Sequence, residues 1–160
     1  MALEDARRDV DAAFTRPDPR GLAFENVFAG AASFLRRRYT TDLAGFDLAV
    51  TGIPFDQAVT HRPGARFGPR ALREASTLMT GDPPYGWGFS PLDTLAIADL
   101  GDMPFDYARV QDTPGAIRAH VAGILAQGCG SVVLGGDHSI TFPILQAYAE
   151  RFGPKAVIQY

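Results

Sequence analysis

The sequence predicts an α/β fold, a parallel sheet with helices on both faces, and three observations carry that prediction. Short runs rich in Val, Ile, Leu and Ala, namely Phe46–Ile53, Leu95–Leu100, Ser131–Leu134 and Ala156–Tyr160, lack the strict polar alternation of a half-exposed sheet and read as strands covered on both faces. Between them lie segments with an apolar residue every three or four positions, the period of an amphipathic helix. The order strand-helix-strand-helix-strand-helix-strand leaves enough chain between strands for crossover helices, so parallel pairing with right-handed crossovers follows.

Taken in order, residues 3 to 14 read as a short helix with Leu3, Val10 and Phe14 on one side. Arg16-Pro-Asp-Pro-Arg-Gly21 breaks it, because two prolines and a glycine do not continue a helix. Residues 22 to 41 carry Phe24, Val27, Phe28, Phe34 and Leu35 ahead of Arg36, Arg37 and Arg38. In an acidic chain that triplet reads as a solvated helix terminus or a subunit contact rather than a nucleic-acid patch. Residues 1–41 therefore read as a helical N-terminal extension and residues 42–160 as the α/β unit.

The strand Phe46–Ile53 leads through Gly52 and Pro54 into a loop that reaches Gly68. Pro69 suits the first turn of a helix, carried on by Arg70 to Met79. Thr80 to Asp93 is a long glycine- and proline-rich connection holding Trp87, of the kind that lines a site or packs over a core. The strand Leu95–Leu100 ends in Gly101-Asp102. A helix from Pro114 to Gln127 follows, with Thr113 as N-cap and Ile117, Val121, Ile124 and Leu125 on its buried face. His120 falls beside that face and reads as exposed or satisfied locally. Ser131–Leu134, a helix from about Ile140 to Arg151, the stop at Phe152-Gly153-Pro154 and the strand Ala156–Tyr160 complete the pattern.

The 160 residues suit one domain, able to bury roughly 70% of its unfolded surface. A net charge of −3 gives no long-range attraction for nucleic acid or an anionic membrane, so neither is expected as a partner. Cys129 is the single cysteine, which excludes an intrachain disulfide, and its place between Gly128 and Gly130 reads as a small packed side chain. The charged N-terminus lacks the apolar core of a signal peptide, and no apolar run approaches ~20 residues, so a cytoplasmic protein is expected.

Chemistry concentrates where the third strand stops. Gly135 and Gly136 let the backbone turn sharply, so that Asp137 and His138 emerge at the strand's carboxyl end, the edge where open parallel sheets bind ligands. Ser139 is placed to cap the helix that follows. A second long motif, Gly52-Ile-Pro-Phe-Asp-Gln-Ala-Val-Thr-His-Arg-Pro-Gly-Ala-Arg-Phe-Gly-Pro-Arg70, lies about 70 residues earlier. The first of these resembles the leading metal-binding signature of the ureohydrolases, the arginase and agmatinase superfamily. The second resembles the agmatinase branch more than arginases proper, with His61 where many such sequences have asparagine.

The resemblance implies a three-layer αβα sandwich of the arginase type, of which about the first four strands are present. It implies two Mn2+ ions per complete active site, with Ni2+ the alternative because the ligand set scarcely discriminates. A hydroxide bridging them attacks the carbon of a small guanidino substrate and releases urea and an amine. It assigns His138 to one metal and Asp137 to orienting the loop or holding the other imidazole nitrogen. His61 is a possible substrate contact, while Arg62 and Arg66 read as clamps of the loop or of an interface. No catalytic residue is assigned. The family's further ligands lie on Asp-Ala-His-x-Asp and Asp-x-Asp motifs, and neither occurs in this sequence. Asp56, Asp99 and Asp102 stand near strand ends without forming such a pair. The chain is accordingly expected to be the amino-terminal portion of an enzyme about twice its length, inactive alone, within a homo-oligomer, trimer or hexamer. Two alternatives stand beside this reading. One is a phosphate- or nucleotide-binding module using the glycine turn, which lacks the spacing of the familiar phosphate loops. The other is a non-catalytic partner of a full-length homologue.

Overall fold

The computed structural model describes residues 11–21, 25–79 and 83–160. Among these, the strands β1 (Arg38–Tyr39), β2 (Leu48–Ile53), β3 (Ile97–Asp102) and β4 (Gly130–Gly135) form one parallel sheet in the order β1-β3-β2-β4. The helices are α1 (Ala12–Thr15), α2 (Gly68–Ser76), α3 (Pro91–Thr94), α4 (Thr113–Ala126) and α5 (Thr141–Phe152).

The alternation of side chains along β2 builds three layers. Ala49 and Ile53 point to the face covered by α4, meeting Ile124 and Ile117 respectively. Val50 and Leu48 point to the other face with Leu134, Leu92 and Phe34. Gly52 lies against Pro69 of α2 on that second side. Helix α5 packs on α4 through Val121, Leu125 and Ala147. The expected α/β architecture with helices on both faces is thus the observed one.

One buried ion pair joins the sheet to α2. Asp99 of β3 is fully buried, and Arg73 meets it with two parallel bonds, Nε to Oδ2 at 2.8 Å and Nη2 to Oδ1 at 3.0 Å. The Asp99 carboxylate also accepts from the amides of Phe34 at 2.7 Å and Gly101 at 2.9 Å, so every bonding direction is used. Arg73 reaches Asp102 as well, 2.5 Å away. These acids near a strand end are therefore held by structure.

Several expectations need correction. Ala156–Tyr160 forms no strand: the residues are exposed and outside the sheet, since a short apolar run makes no strand without a neighbour to complete its ladder. The fourth strand is Arg38–Tyr39, which pairs with Ala98 and Asp99. The residues expected to form a helical extension instead include a 3-10 turn, Phe34–Arg36, in which Leu35 and Arg36 have φ of 50° and 53°, outside the helical region. The arginine triplet is not a solvated terminus. Arg36 is buried with Glu25 at 2.5 Å and the Asn26 carbonyl at 2.8 Å. Arg37 is buried against the carbonyls of Leu35 and Gly21. Burial, with Arg16 adding to it, pushes the Arg37 guanidinium down to about 10. Only Arg38 of the three is exposed. Of the expected helix over 3–14, only residues 11–14 are described, and they lie at or in α1, Ala12–Thr15; the rest of that span, including Leu3 and Val10, lies outside the described residues, as do Phe24 and residues 80–82. Thr113 is the first residue of α4 rather than its cap, and its hydroxyl is buried without a hydrogen-bond partner among the described residues.

Cys129 is buried, its thiol 3.1 Å from the Phe46 carbonyl oxygen, and burial with Asp47 nearby pushes its pKa up, as suits an inert packed thiol. No described helix is long and apolar enough to cross a membrane. His120 is half-buried and stands 2.9 Å from Thr51 Oγ1, which also lies 3.1 Å from the Gly101 carbonyl oxygen. The hydroxyl has one proton and the carbonyl can only accept, so the Nε2–H of His120 donates to Thr51.

Two predictions follow from this core. Arg73→Ala leaves the Asp99 charge buried and unpaired and should destabilise the chain by about 3–5 kcal/mol in urea unfolding, whereas a loss below 1 kcal/mol would show that the pair is idle. Burial lowers the His120 pKa below the usual histidine value of about 6.5, so the unfolded chain takes up the proton first. The stability owed to its neutral ring is present above about pH 6.5 and is lost as pH falls towards the folded-state value. His120→Gln should flatten the slope of unfolding free energy against pH just below 6.5, read by denaturant titration at several pH values.

Candidate functional site

The two long motifs meet at the carboxyl ends of β2 and β4. After β2 the chain crosses Pro54 and Phe55 into the 54–67 loop; after β4 it turns through Gly136 and Asp137 into a 3-10 turn, His138–Ile140. Backbone bonds lock the two together. The Gly136 amide donates to the Ile53 carbonyl at 3.2 Å and the Asp137 amide to the Phe55 carbonyl at 2.7 Å. A Cβ at position 136 would collide with both carbonyl oxygens, so this close approach requires glycine. Gly68, at the start of α2, is likewise pressed against the Gly135 carbonyl.

Asp137 takes the capping role expected of Ser139. Its Oδ1 accepts from the Ser139 amide at 2.9 Å and from the Ser139 hydroxyl, while its Oδ2 accepts from the Ala58 amide at 2.8 Å. The residue has extended φ/ψ of −76° and 169°, as an N-cap does, and Ser139 already lies inside the turn. Asp137 therefore ties the turn to the 54–67 loop. It does not hold the His138 ring.

That part falls to Thr141, one helical turn on. Its Oγ1 lies 3.3 Å from His138 Nδ1, a long bond that gives the ring a partner but holds it only weakly. Nε2 has no hydrogen-bond partner among the described residues. The imidazole is exposed at a shallow hollow of about 320 Å³ whose walls include Val133, Ile140, Ile144 and Gly135. Thr141 was not legible as a site residue; the available signal was a hydroxyl three positions after a histidine at a helix start, a spacing that places both on one face.

The rest of the 54–67 loop is clamped from within. Asp56, buried, accepts from the amides of Gly64 at 2.7 Å and Arg66 at 3.2 Å and from Arg66 Nε at 2.6 Å. The hydrogen bond from Arg66 above all holds its carboxyl down to about 2. The Arg66 guanidinium sits 5.3 Å from the centre of the Tyr107 ring, and the Tyr107 hydroxyl donates to the Pro54 carbonyl at 3.0 Å. His61 and Arg62 are exposed at the loop's tip.

A larger hollow of about 570 Å³ lies between residues 27–32 and α2, where Arg73 and Asp102 are already paired. It is remote in sequence and sheet position from His138.

Residues 46–160 match the arginase family. The chain belongs to the arginase family. It is 44% identical over 151 residues to an agmatinase of Chromobacterium violaceum, covering 94% of this chain and 47% of that protein. It is 42% identical over 143 residues to a mitochondrial guanidino acid hydrolase of Homo sapiens, covering 89% and 40%. Its fold is similar to the crystal structure of a hypothetical agmatinase from Burkholderia thailandensis, with a TM-score of 0.85 and 46% identity over 90% of this chain and 45% of that one. The chain thus spans about half the length of the curated relatives it matches.

Proteins of the arginase family are generally binuclear metal enzymes, and the described residues can be tested against such a centre. His138 offers one nitrogen donor of suitable chemistry. Asp137 has both oxygens engaged, and among the described residues no group of three or more His, Cys, Asp and Glu side chains gathers to hold an ion. By themselves these residues do not fit a metal pair.

If Asp137 is the tie between turn and loop, Asp137→Ala should cost roughly 1–2 kcal/mol, and Asp137→Asn, whose single amide oxygen can keep the cap but cannot also accept from Ala58, should recover only part of it. Amide exchange at Ala58 and Ser139 should quicken together in the alanine variant; unchanged exchange at Ala58 would separate the loop from the turn.

Proposed function

We propose that these residues form the amino-terminal half of a hydrolase that cleaves a small guanidino compound of the agmatine class to urea and an amine. The observation that carries this reading is the His138 imidazole. It is projected from a glycine-broken strand end, tied through Nδ1 to Thr141 and open at Nε2, beside the loop that carries the second family motif. Relatives named as an agmatinase and a guanidino acid hydrolase support the guanidino class of substrate.

In this reading His138 is one ligand of a Mn2+ pair, with Ni2+ the alternative, and the remaining donors come from outside the described residues. The pair, when bound, supplies an activated water at neutral pH. This chain's own part is positioning: Asp137 and the Gly136 turn hold the imidazole's backbone, and Thr141 offers Nδ1 a partner. The attacking water is assigned to no residue described here. The reading includes a homo-oligomer, in which the segment before β1 contributes contacts.

The test uses the Mn2+-loaded enzyme that carries these residues. Urea release from agmatine or 4-guanidinobutyrate should fall on the order of 10²-fold in His138→Ala, with bound Mn2+ reduced in parallel. Wild-type metal content and urea release in that variant would remove His138 from the centre. Stabilisation of the protein by inorganic phosphate, with no response to Mn2+, would favour the phosphate-binding alternative instead.

A further inference from the structure

We propose that Tyr107 is a positioning residue for the His138 imidazole, acting through the Pro54–Phe55 peptide on which the His138 turn hangs. The inference rests on the hydrolase reading above and adds to the site's two motifs a residue from the segment after β3.

That segment is built to present the ring. The Met103 amide donates to the Gly52 carbonyl at 2.8 Å, which fastens the chain leaving β3 to the end of β2. Asp106 then opens a tight turn: its carbonyl accepts from the Arg109 amide at 3.1 Å and its Oδ1 from the Ala108 amide at 2.8 Å, with Tyr107 as the turn's second residue. The Tyr107 ring packs on Phe105 with centroids 4.7 Å apart, and Phe105 meets Phe55 edge-on at 5.8 Å. Phe55 in turn shares a buried cluster with Ile140, the last residue of the His138 turn.

The hydroxyl adds what the ring alone does not supply. It donates to the Pro54 carbonyl at 3.0 Å, and the same peptide unit ends in the Phe55 amide, which donates to the Ile53 carbonyl at 2.8 Å. A peptide unit is planar, so a bond at each end fixes its tilt. The carbonyls on either side of this plane, those of Ile53 and Phe55, accept the Gly136 and Asp137 amides at 3.2 Å and 2.7 Å. A change of tilt therefore swings the Phe55 acceptor away from Asp137, and with it the backbone that carries His138. Tyr107 also meets the far end of the same loop, where the Arg66 guanidinium lies 5.3 Å from its ring centre. One side chain thus holds both ends of the 54–67 loop, while Asp137 holds its Ala58 amide. The imidazole has only the long contact to Thr141, so its direction rests on this backbone.

Tyr107→Phe keeps the ring packing and removes only the bond to Pro54. In the enzyme that carries these residues, amide exchange at Asp137 should quicken roughly threefold to tenfold. The ring resonances of His138 should shift in NMR, while those of His120 stay in place and the thermal midpoint stays within about 3 °C of wild type. Arg118→Ala, which breaks an exposed pair between α4 and α5, should move neither the exchange nor the His138 ring. With Mn2+ loaded, kcat on agmatine or 4-guanidinobutyrate should fall by about the same factor as the exchange rises, with KM unchanged. Wild-type exchange and His138 resonances in Tyr107→Phe, or a wild-type kcat in an enzyme that does release urea, would overturn the assignment. So would a variant that fails to fold, loses more of its midpoint or shifts His120 together with His138, because these mark a general structural role. An absence of urea from the wild-type enzyme would overturn the hydrolase reading, and the exchange and NMR results would still decide for or against Tyr107.

Discussion

The site depends on a backbone approach that admits no side chain. At Gly136 the chain leaving β4 runs against the carbonyls of Ile53 and Phe55, and there the amides of Gly136 and Asp137 find their acceptors. Any Cβ at this position would push the two strand ends apart, and the cost would not stay local. Asp137 would lose its reach to Ala58, and His138 would leave the edge it shares with the 54–67 loop. The two motifs lie far apart in sequence and act as one unit because their backbones bond directly.

Around this joint the protein holds its charges in closed sets. Asp99 is saturated by Arg73 and two amides, Asp56 by Arg66 and two amides, and Glu25 is paired with Arg36. Buried ionised groups are tolerable only when each bonding direction is met, which is why these arginines sit inside while much of the apolar surface remains outside. Phe28, Tyr85 and Tyr160 are among the exposed large side chains.

The strands β2, β3 and β4 and the helices α2, α4 and α5 were legible because each carries a local signal: an apolar run, a period, a proline in a first turn. What was not legible was non-local. Nothing near Arg38–Tyr39 announces a two-residue strand, which exists only because β3 offers its edge and Gly101 leaves room for the Tyr39 ring. Ala156–Tyr160 has the composition of a strand but no neighbour. Asp99 and Arg73, 26 residues apart, look like ordinary surface charges until the fold brings them together. The cap was misplaced by two residues because serine and aspartate are both good caps, and only the bond to Ala58, across the sheet edge, decides for Asp137. The place of His138 at a strand end was legible, by contrast, because an apolar run stopped by a glycine pair is a local signal.

The tie at Thr141 constrains what His138 can do. A neutral imidazole has one donor nitrogen and one lone pair, and the partner of the first sets the direction of the second. If Nε2 is to bind an ion, the ring proton must sit on Nδ1, and Thr141 must accept it. The Thr141 hydroxyl is suited to that role because it can rotate to either one. A hydroxyl at 3.3 Å holds the ring less firmly than a carboxylate would, so the ring's direction owes more to the turn beneath it than to this bond. The geometry of the Gly136 joint, set by backbone alone, is therefore what places the His138 imidazole.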